Sequence, residues 1–296
     1  MRTQTTADRV VKLTMHLILI IAAALCLIPM LLVIAISLSS EREIVFNGYR
    51  LIPEVISWRA YQIIFERPAA LISAYWVTIR ITLLGTVFGT LFMAMAAFPL
   101  SRRDFGWRRP ITFFFLFTML FNAGIVPTYM IITTVYRLQN TLLVLFLPIM
   151  INAWFTILLL TYMKQLPFEL IESAKVEGAS EFYIFLRIAL PLSKPAIATV
   201  SLLLALRLWN EWFSALLYIS DQNLVPLQFW MQRVMQNIQF LLRNQTIMGG
   251  GIDLSELPTE TTRMAMAVLA AGPMLFIFPF FQRYFARGLQ VGSVKG

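Results

Sequence analysis

The chain has 296 residues, 59% hydrophobic and only 13% charged, with a mean hydropathy of +0.74. Soluble domains are about 45–50% apolar and about 25% charged, so a soluble globular chain is excluded and an all-α polytopic membrane protein is expected. A net charge of +9 and a pI near 10.0 would suit nucleic acid, but the basic residues sit mostly at the ends of apolar runs, which points to membrane topology instead.

Six runs are long enough to cross a hydrocarbon core: 16–38, 75–100, 110–132, 141–163, 195–219 and 264–284. Arg2, Arg9 and Lys12 precede the first run, which is too long for a signal h-region and is expected to remain as a signal anchor. Its single cysteine, Cys26, allows no internal disulfide, and the lone His16 excludes a histidine-rich metal site. Both are read as structural residues facing lipid or the bundle. The loop 39–74 carries Pro53, a Ser57 cap and a short helix from Trp58 to Phe65. The turn SRRDFGWRR at 101–109 reads as a membrane-surface anchor. Pro29, Pro127, Pro148, Pro273 and Pro279 lie inside runs, where membrane helices tolerate them if neighbours satisfy the freed carbonyls.

Between the fourth and fifth runs lies PFELIESAKVEGASEFYIFLRIALPLSKP, a polar stretch that looks helical. Pro167 suits a first helical position and Gly178 the left-handed residue past a helix end. Ser180 reads as a cap for a second short helix, with Glu181 in its first turn. Phe168, Ile171 and Ala174 are expected to form an apolar knob on a surface otherwise carrying Glu169, Glu172, Lys175 and Glu177. Such a knob can dock into a groove on another protein. The bland alternative is a solvated connector between spans.

The fifth run contains RLWNEWFSALLY, 207–218. As one helix, Arg207, Asn210, Glu211, Ser214 and Tyr218 would share a face, with Arg207 and Glu211 one turn apart and able to pair. Ionisable groups at that depth cost at least about 2.5–3.5 kcal/mol each, so they persist only when paired or facing water. Asn122 and Asn152, near the middle of the third and fourth runs, could complete a polar lining. One reading is a path for a substrate rich in hydroxyls, with Trp154, Trp209 and Trp212 available to stack on sugar faces. By the wheel, Trp209 and Trp212 lie off the polar face and are expected to pack against helices. The other reading is an Arg–Glu pair that locks helix register or a subunit interface. In the loop 220–263, Leu227, Met231, Val234, Met235, Ile238 and Leu242 recur at helical spacing. That helix either lies on the membrane surface or docks an extracytoplasmic partner.

Lys and Arg set the orientation: fourteen fall on one side of this topology and eight on the other. The positive-inside effect puts both termini and the 164–194 loop in the cytoplasm.

The spacing Glu172-Ser173-Ala174, then Gly178, then Ile188-Ala189-Leu190-Pro191 resembles the "EAA" loop of ABC importer permeases, with Ser173 at its second position. W-N-E at 209–211 resembles the fifth span of maltose-type sugar permeases. FNAGIVPTY at 121–129, NTLLVLFLP at 140–148, WNEWFSALLYI at 209–219 and FARGLQVGSVKG at 285–296 extend the likeness to a subgroup importing oligosaccharides, often uronate-containing.

The resemblance implies one transmembrane permease domain over 1–296 with the type I ABC importer permease fold. It would have a cytoplasmic tail 1–14, a coupling loop 164–194 and an extracytoplasmic loop 220–263. It further implies that Glu172, Ser173, Ala174, Gly178, Ile188, Leu190 and Pro191 contact an ATPase, and that the implied location is the bacterial cell membrane. The implied partners are a homologous second permease, two ATPase subunits holding ATP and Mg, and an extracytoplasmic binding protein delivering the oligosaccharide. The C-terminal tail resembles one that can reach toward the ATPases.

No G-x-x-x-x-G-K-[ST], H-E-x-x-H, nucleophile elbow or paired catalytic carboxylates occur, so no catalysis, cofactor or metal is expected on this chain. The competing expectation is a small ion-coupled secondary carrier or channel, which inverted repeats or broken spans with half-helix sites would mark.

Overall fold

The computed structural model describes residues 6–243 and 259–288. They are helical, with one isolated antiparallel bridge between Ser39 and Ile56. Two compact units emerge, one built from the residues up to Pro68 with Arg233–Gly272, the other from Ala69–Gln232 with the residues from Pro273 onward.

In the first unit, α1 (Thr6–Ser37) is 32 residues long. Its side chains from Val11 through Leu31 are exposed, so an apolar medium or another protein must cover them. α2 (Glu41–Asn47) starts at a Ser40 cap whose hydroxyl accepts from the Glu43 N–H. α3 (Arg59–Ile64) follows, and the Ser57 hydroxyl accepts from the Arg59 N–H at 3.3 Å.

The second unit is organised around α4 (Pro68–Ser101), a 34-residue helix. Then come α5 (Arg108–Leu120) and α6 (Ile125–Met130), the latter running into a π-helical turn at Ile131–Val135. α7 (Leu147–Met150) and α8 (Ala153–Met163) follow, then α9 (Phe168–Val176) and α10 (Glu181–Ile184). A π-helical turn at Phe185–Ala189 leads to α11 (Leu190–Leu192) and α12 (Lys194–Trp209). α13 (Phe213–Tyr218) and α14 (Leu227–Arg243) come next, and α14 matches the helical spacing expected there. α15 (Glu260–Gly288) is the last helix among the described residues and covers the run 264–284.

Continuous helices were expected for the third, fourth and fifth spans, and the structure corrects this. The pair Arg108–Leu120 and Ile125–Val135 bends by 112° and Leu143–Met150 and Ala153–Met163 by 48°, while an 80° bend between Glu181–Leu192 and Lys194–Trp209 falls just before the expected fifth span. The causes are local. Gly124 sits at φ +85° in the first break, and Ile151 is extended in the second. The 195–219 run itself breaks at Asn210–Trp212, between α12 and α13. Among the described residues two helices are individually long and apolar enough to cross a membrane, and up to five if each bent pair counts as one span.

The core of this unit gathers Val77, Ile81, Met93 and Ala97 of α4 against Leu145, Leu159, Ile184, Val200, Leu204 and Leu208. Two glycines set how closely α4 approaches its neighbours. A Cβ on Gly85 would lie 2.7 Å from Leu208 Cδ1, and one on Gly89 would lie 2.5 Å from the Met150 carbonyl oxygen. Small residues let membrane helices approach at backbone distance. Since a carbonyl cannot swing aside as a side chain can, Gly89→Ala is expected to cost about 1–3 kcal/mol. Thermal denaturation in detergent reads this, with Gly106→Ala, which meets open space, as the neutral comparison.

Candidate functional site

The first candidate is the α9–α10 elbow. Pro167 stands one residue before α9, and Glu169 in the first turn and Lys175 in the last both suit the helix dipole. Gly178 has φ +81°, as its place past a helix end demands, and the Ala179 N–H returns to the Ala174 carbonyl at 3.0 Å. The Ser180 hydroxyl accepts from the Tyr183 N–H at 3.3 Å and starts α10, with Glu181 in its first turn. Glu172, Ser173, Gly178 and Pro191 are exposed, and Ile188 and Leu190 are half-buried.

The expected knob is not the outward face. Ile171 and Ala174 are buried in the core with Ile184, Phe185 and Ala189. Phe168 is 38% exposed, Leu170 47% and Val176 89%, so these are the apolar groups that α9 offers outward, among Glu169, Glu172 and Glu177. A nine-residue helix between two spans has two apolar stripes, and the wheel alone cannot say which one the bundle claims.

The elbow is tied to the turn after α4 by four alternating charges. Arg102, 5% exposed, holds Asp104 through two nitrogens at 2.7 and 3.2 Å and reaches Glu181 at 3.3 Å. Lys175 Nζ contacts the same two carboxylates, Asp104 at 2.8 Å and Glu181 at 2.7 Å. The guanidinium also lies 5.8 Å from the Phe98 ring centroid. The 101–109 turn, expected as a lipid anchor, thus buries Arg102 and turns the exposed Asp104 toward the elbow.

Hydrogen bonds from Lys175 and then Arg102 hold the Asp104 carboxyl down at about 2, and hydrogen bonds to Asp104 and Glu181 raise Lys175. A depressed carboxylate stabilises above its unfolded value and loses that contribution as pH falls through its folded value. A raised lysine contributes below its unfolded value and loses that contribution only as pH climbs past it. The melting difference between wild type and Asp104→Asn is therefore expected to stay constant from about pH 5 to 9 and to shrink below about pH 4.

The second candidate comprises polar groups at the helix breaks. Arg207 lies in the last turn of α12, Ser214 and Tyr218 lie in α13, and Asn210 and Glu211 fall between. The single helical face expected for these five therefore does not exist, and Arg207 and Glu211 form no ion pair. Glu211 Oε1 instead accepts the Ser214 N–H at 2.7 Å and caps α13. Asn122 Oδ1 accepts from the Gly124 N–H at 2.9 Å, and Asn152 Oδ1 from the Phe155 N–H at 3.2 Å. Each break thus spends a side-chain oxygen on a backbone donor that helix continuity would have satisfied.

Arg207 and Asn210 are exposed, Glu211 and Asn152 half-buried, and Asn122 exposed. Gln228 Nε2 donates to Asn210 Oδ1 at 3.2 Å, and the Tyr218 ring stacks on Tyr129 at 5.5 Å. Asn122 and Asn152 stay at their own breaks, with no hydrogen bond to the 207–218 segment. Trp209 is buried, as expected from the wheel, while Trp212 is exposed.

Sequence reasoning did not single out Asn140. Its Oδ1 accepts from the Ser220 and Asp221 N–H groups at 2.6 and 3.1 Å, and its own N–H donates to the Tyr218 carbonyl. A polar residue opening an apolar run was the available signal. Among the described residues no cluster of three or more His, Cys, Asp or Glu could hold a metal ion.

Non-helical backbone is tolerated at membrane depth only where protein buries it or water reaches it. Polar-capped breaks in three expected spans, beside a Gly-turned helix pair, define a membrane transport component. The chain belongs to the family described as the binding-protein-dependent transport system inner membrane component, which matches residues 94–291. It is 35% identical over 289 residues to the polygalacturonan/rhamnogalacturonan transport system permease protein YtcP of Bacillus subtilis (strain 168), covering 98% of this chain and 99% of that one. It is 38% identical over 293 residues to Protein LplC of the same organism, covering 99% and 97%. Among solved structures, it resembles a bacterial ABC transporter involved in the import of the acidic polysaccharide alginate, with a TM-score of 0.77 and 26% identity over 96% of this chain and 100% of that one.

Proposed function

We infer that the chain is the non-catalytic permease subunit of an ATP-driven ABC importer for oligosaccharides, acidic ones among them. The observation that carries this is the α9–α10 elbow, whose inner face is packed into the core while acidic and apolar groups face outward, on a chain of a binding-protein-dependent family. The reading places six spans in the bacterial cell membrane with both termini and the elbow in the cytoplasm. A second permease, two ATPase subunits carrying ATP and Mg, and an extracytoplasmic binding protein complete the assembly. ATP-driven closure of the ATPases pushes the elbow and opens the bundle outward; the binding protein delivers the sugar, and hydrolysis resets the bundle inward.

Arg207, Asn210, Glu211, Ser214, Tyr218, Asn122 and Asn152 contribute polar groups to the path. The exposed Arg207 suits a carboxylated sugar, in keeping with the likeness to a polygalacturonan/rhamnogalacturonan permease and to an importer of the acidic polysaccharide alginate. Broken spans also occur in secondary carriers, so they do not separate the two classes; the family match favours the ABC reading.

The tagged chain is expected to bring down an ATPase on purification, and membrane-impermeant labelling of a cysteine at Glu172 is expected only from the cytoplasmic side. A lone carrier, or labelling from outside, defeats the reading. Arg207→Ala is expected to cut uptake of oligogalacturonates about tenfold more than uptake of neutral oligosaccharides, the loss of a charge-assisted contact. Equal losses would count against an acidic substrate.

A further inference from the structure

We propose that the ring Arg102–Asp104–Lys175–Glu181 is the mechanical link through which displacement of the elbow reaches α4. The proposal rests on the reading of the chain as an ATP-coupled permease. Three elements meet in the ring: the turn at the end of α4 supplies Arg102 and Asp104, α9 supplies Lys175, and α10 starts at Glu181. Each cation touches both anions, at 2.7 to 3.3 Å, so the circuit closes. Isolated surface pairs contribute little, but networks and bidentate arginines are the exception. Arg102 is both bidentate and almost wholly buried.

The packing beside the ring explains why it matters. A cavity of about 420 Å³ opens between α4 and α10, lined by Met95, Phe98, Pro99, Phe105, Phe182 and Phe185. On that side the Phe98 and Phe185 rings meet at 5.5 Å beside the charges. Apolar filling is incomplete on that side, so the charges tie the turn after α4 to α9 and α10 where the buried core does not reach. At the other end of the lever, Gly85 and Gly89 seat α4 at backbone distance against the helices that follow and precede the breaks. A push on α9 is thus passed through ionic contacts to a long, rigid helix in the middle of the bundle.

These are positioning residues, so the test must separate coupling from folding. Sugar imported per ATP hydrolysed would be measured in proteoliposomes holding the complete complex. Asp104→Asn and Lys175→Gln are each expected to lower that ratio about tenfold, within the usual range of coupling between sites. The double variant is expected to lose no more than the worse single, because breaking a closed circuit twice adds nothing. Lys175→Arg, which keeps the charge and donors, is expected to restore the ratio to within about twofold. If Asp104→Asn does not assemble, Lys175→Gln carries the test, since it leaves the Arg102–Asp104 pair in place. Additive losses, or neutral variants that assemble and couple like wild type, overturn the link. A wild-type complex that imports without hydrolysing ATP overturns the permease reading and the link together.

Discussion

Replacing Gly178 with proline is expected to reduce ATP-driven uptake about a hundredfold without removing the protein from the membrane. Gly178 holds φ +81°, and its N–H donates to the Lys175 carbonyl at 3.0 Å. Proline is fixed near φ −65° and has no N–H, so both features fail together, at a cost of about 3 kcal/mol or more. Uptake scales with the population of the native elbow, and about 1.4 kcal/mol corresponds to a tenfold change in that population. Gly178→Ala separates the two effects. A Cβ there meets open space, so alanine carries only the left-handed penalty of about 1–2 kcal/mol and keeps the hydrogen bond. It is expected to retain measurable uptake. Uptake assays in membrane vesicles, normalised to the amount of chain, decide the matter; undiminished uptake by Gly178→Pro would remove the elbow from the mechanism.

Local chemistry made the elbow readable. Gly178 past a helix end and Ser180 before Glu181 each act within four residues, and the structure keeps both assignments, while Pro167 falls one residue before α9 and not at its first helical position. The breaks in the third, fourth and fifth spans were not readable in the same way. The long apolar runs around Phe121–Gly124, Ile151 and Trp209–Trp212 outweigh the one or two polar residues at each break, and membrane helices absorb proline, so neither hydropathy nor Pro127 marked a bend. Asn122, Asn152 and Glu211 were noticed as polar residues at depth, but a wheel assumes the continuity that they end. Once the helix stops at Trp209, Glu211 finds the Ser214 N–H and not Arg207. The charge ring was hidden by distance along the chain: Lys175 meets Asp104 across 71 positions and Arg102 meets Glu181 across 79. Neither propensity nor period reports such pairings.

Glu41→Ala is expected to produce the largest loss of stability in the first unit, about 3 kcal/mol, the sum of a lost cap and lost charged hydrogen bonds. The Glu41 carboxylate on α2 accepts four hydrogen bonds at the start of α15. Oε1 takes the Thr259 hydroxyl and the Glu260 N–H, each at 2.9 Å; Oε2 takes the Thr261 N–H at 3.0 Å and its hydroxyl at 2.7 Å. The first N–H groups of a helix have no partner within it, and a negative charge placed there is favoured by the dipole. Glu41 and Thr261 are both buried, so water cannot replace the carboxylate cheaply. Glu43, two residues on, does the same for the Glu54 and Val55 N–H groups at 2.8 and 3.2 Å and supplies the comparison. Amide exchange at Glu260 and Thr261 should accelerate sharply in Glu41→Ala and remain slow in Glu43→Ala. Glu41→Gln keeps one acceptor but turns an amide NH₂ toward donors, so it should fall near the alanine variant and not near wild type. Unchanged exchange at Glu260 and Thr261 in Glu41→Ala would mean that α15 is capped by something other than α2.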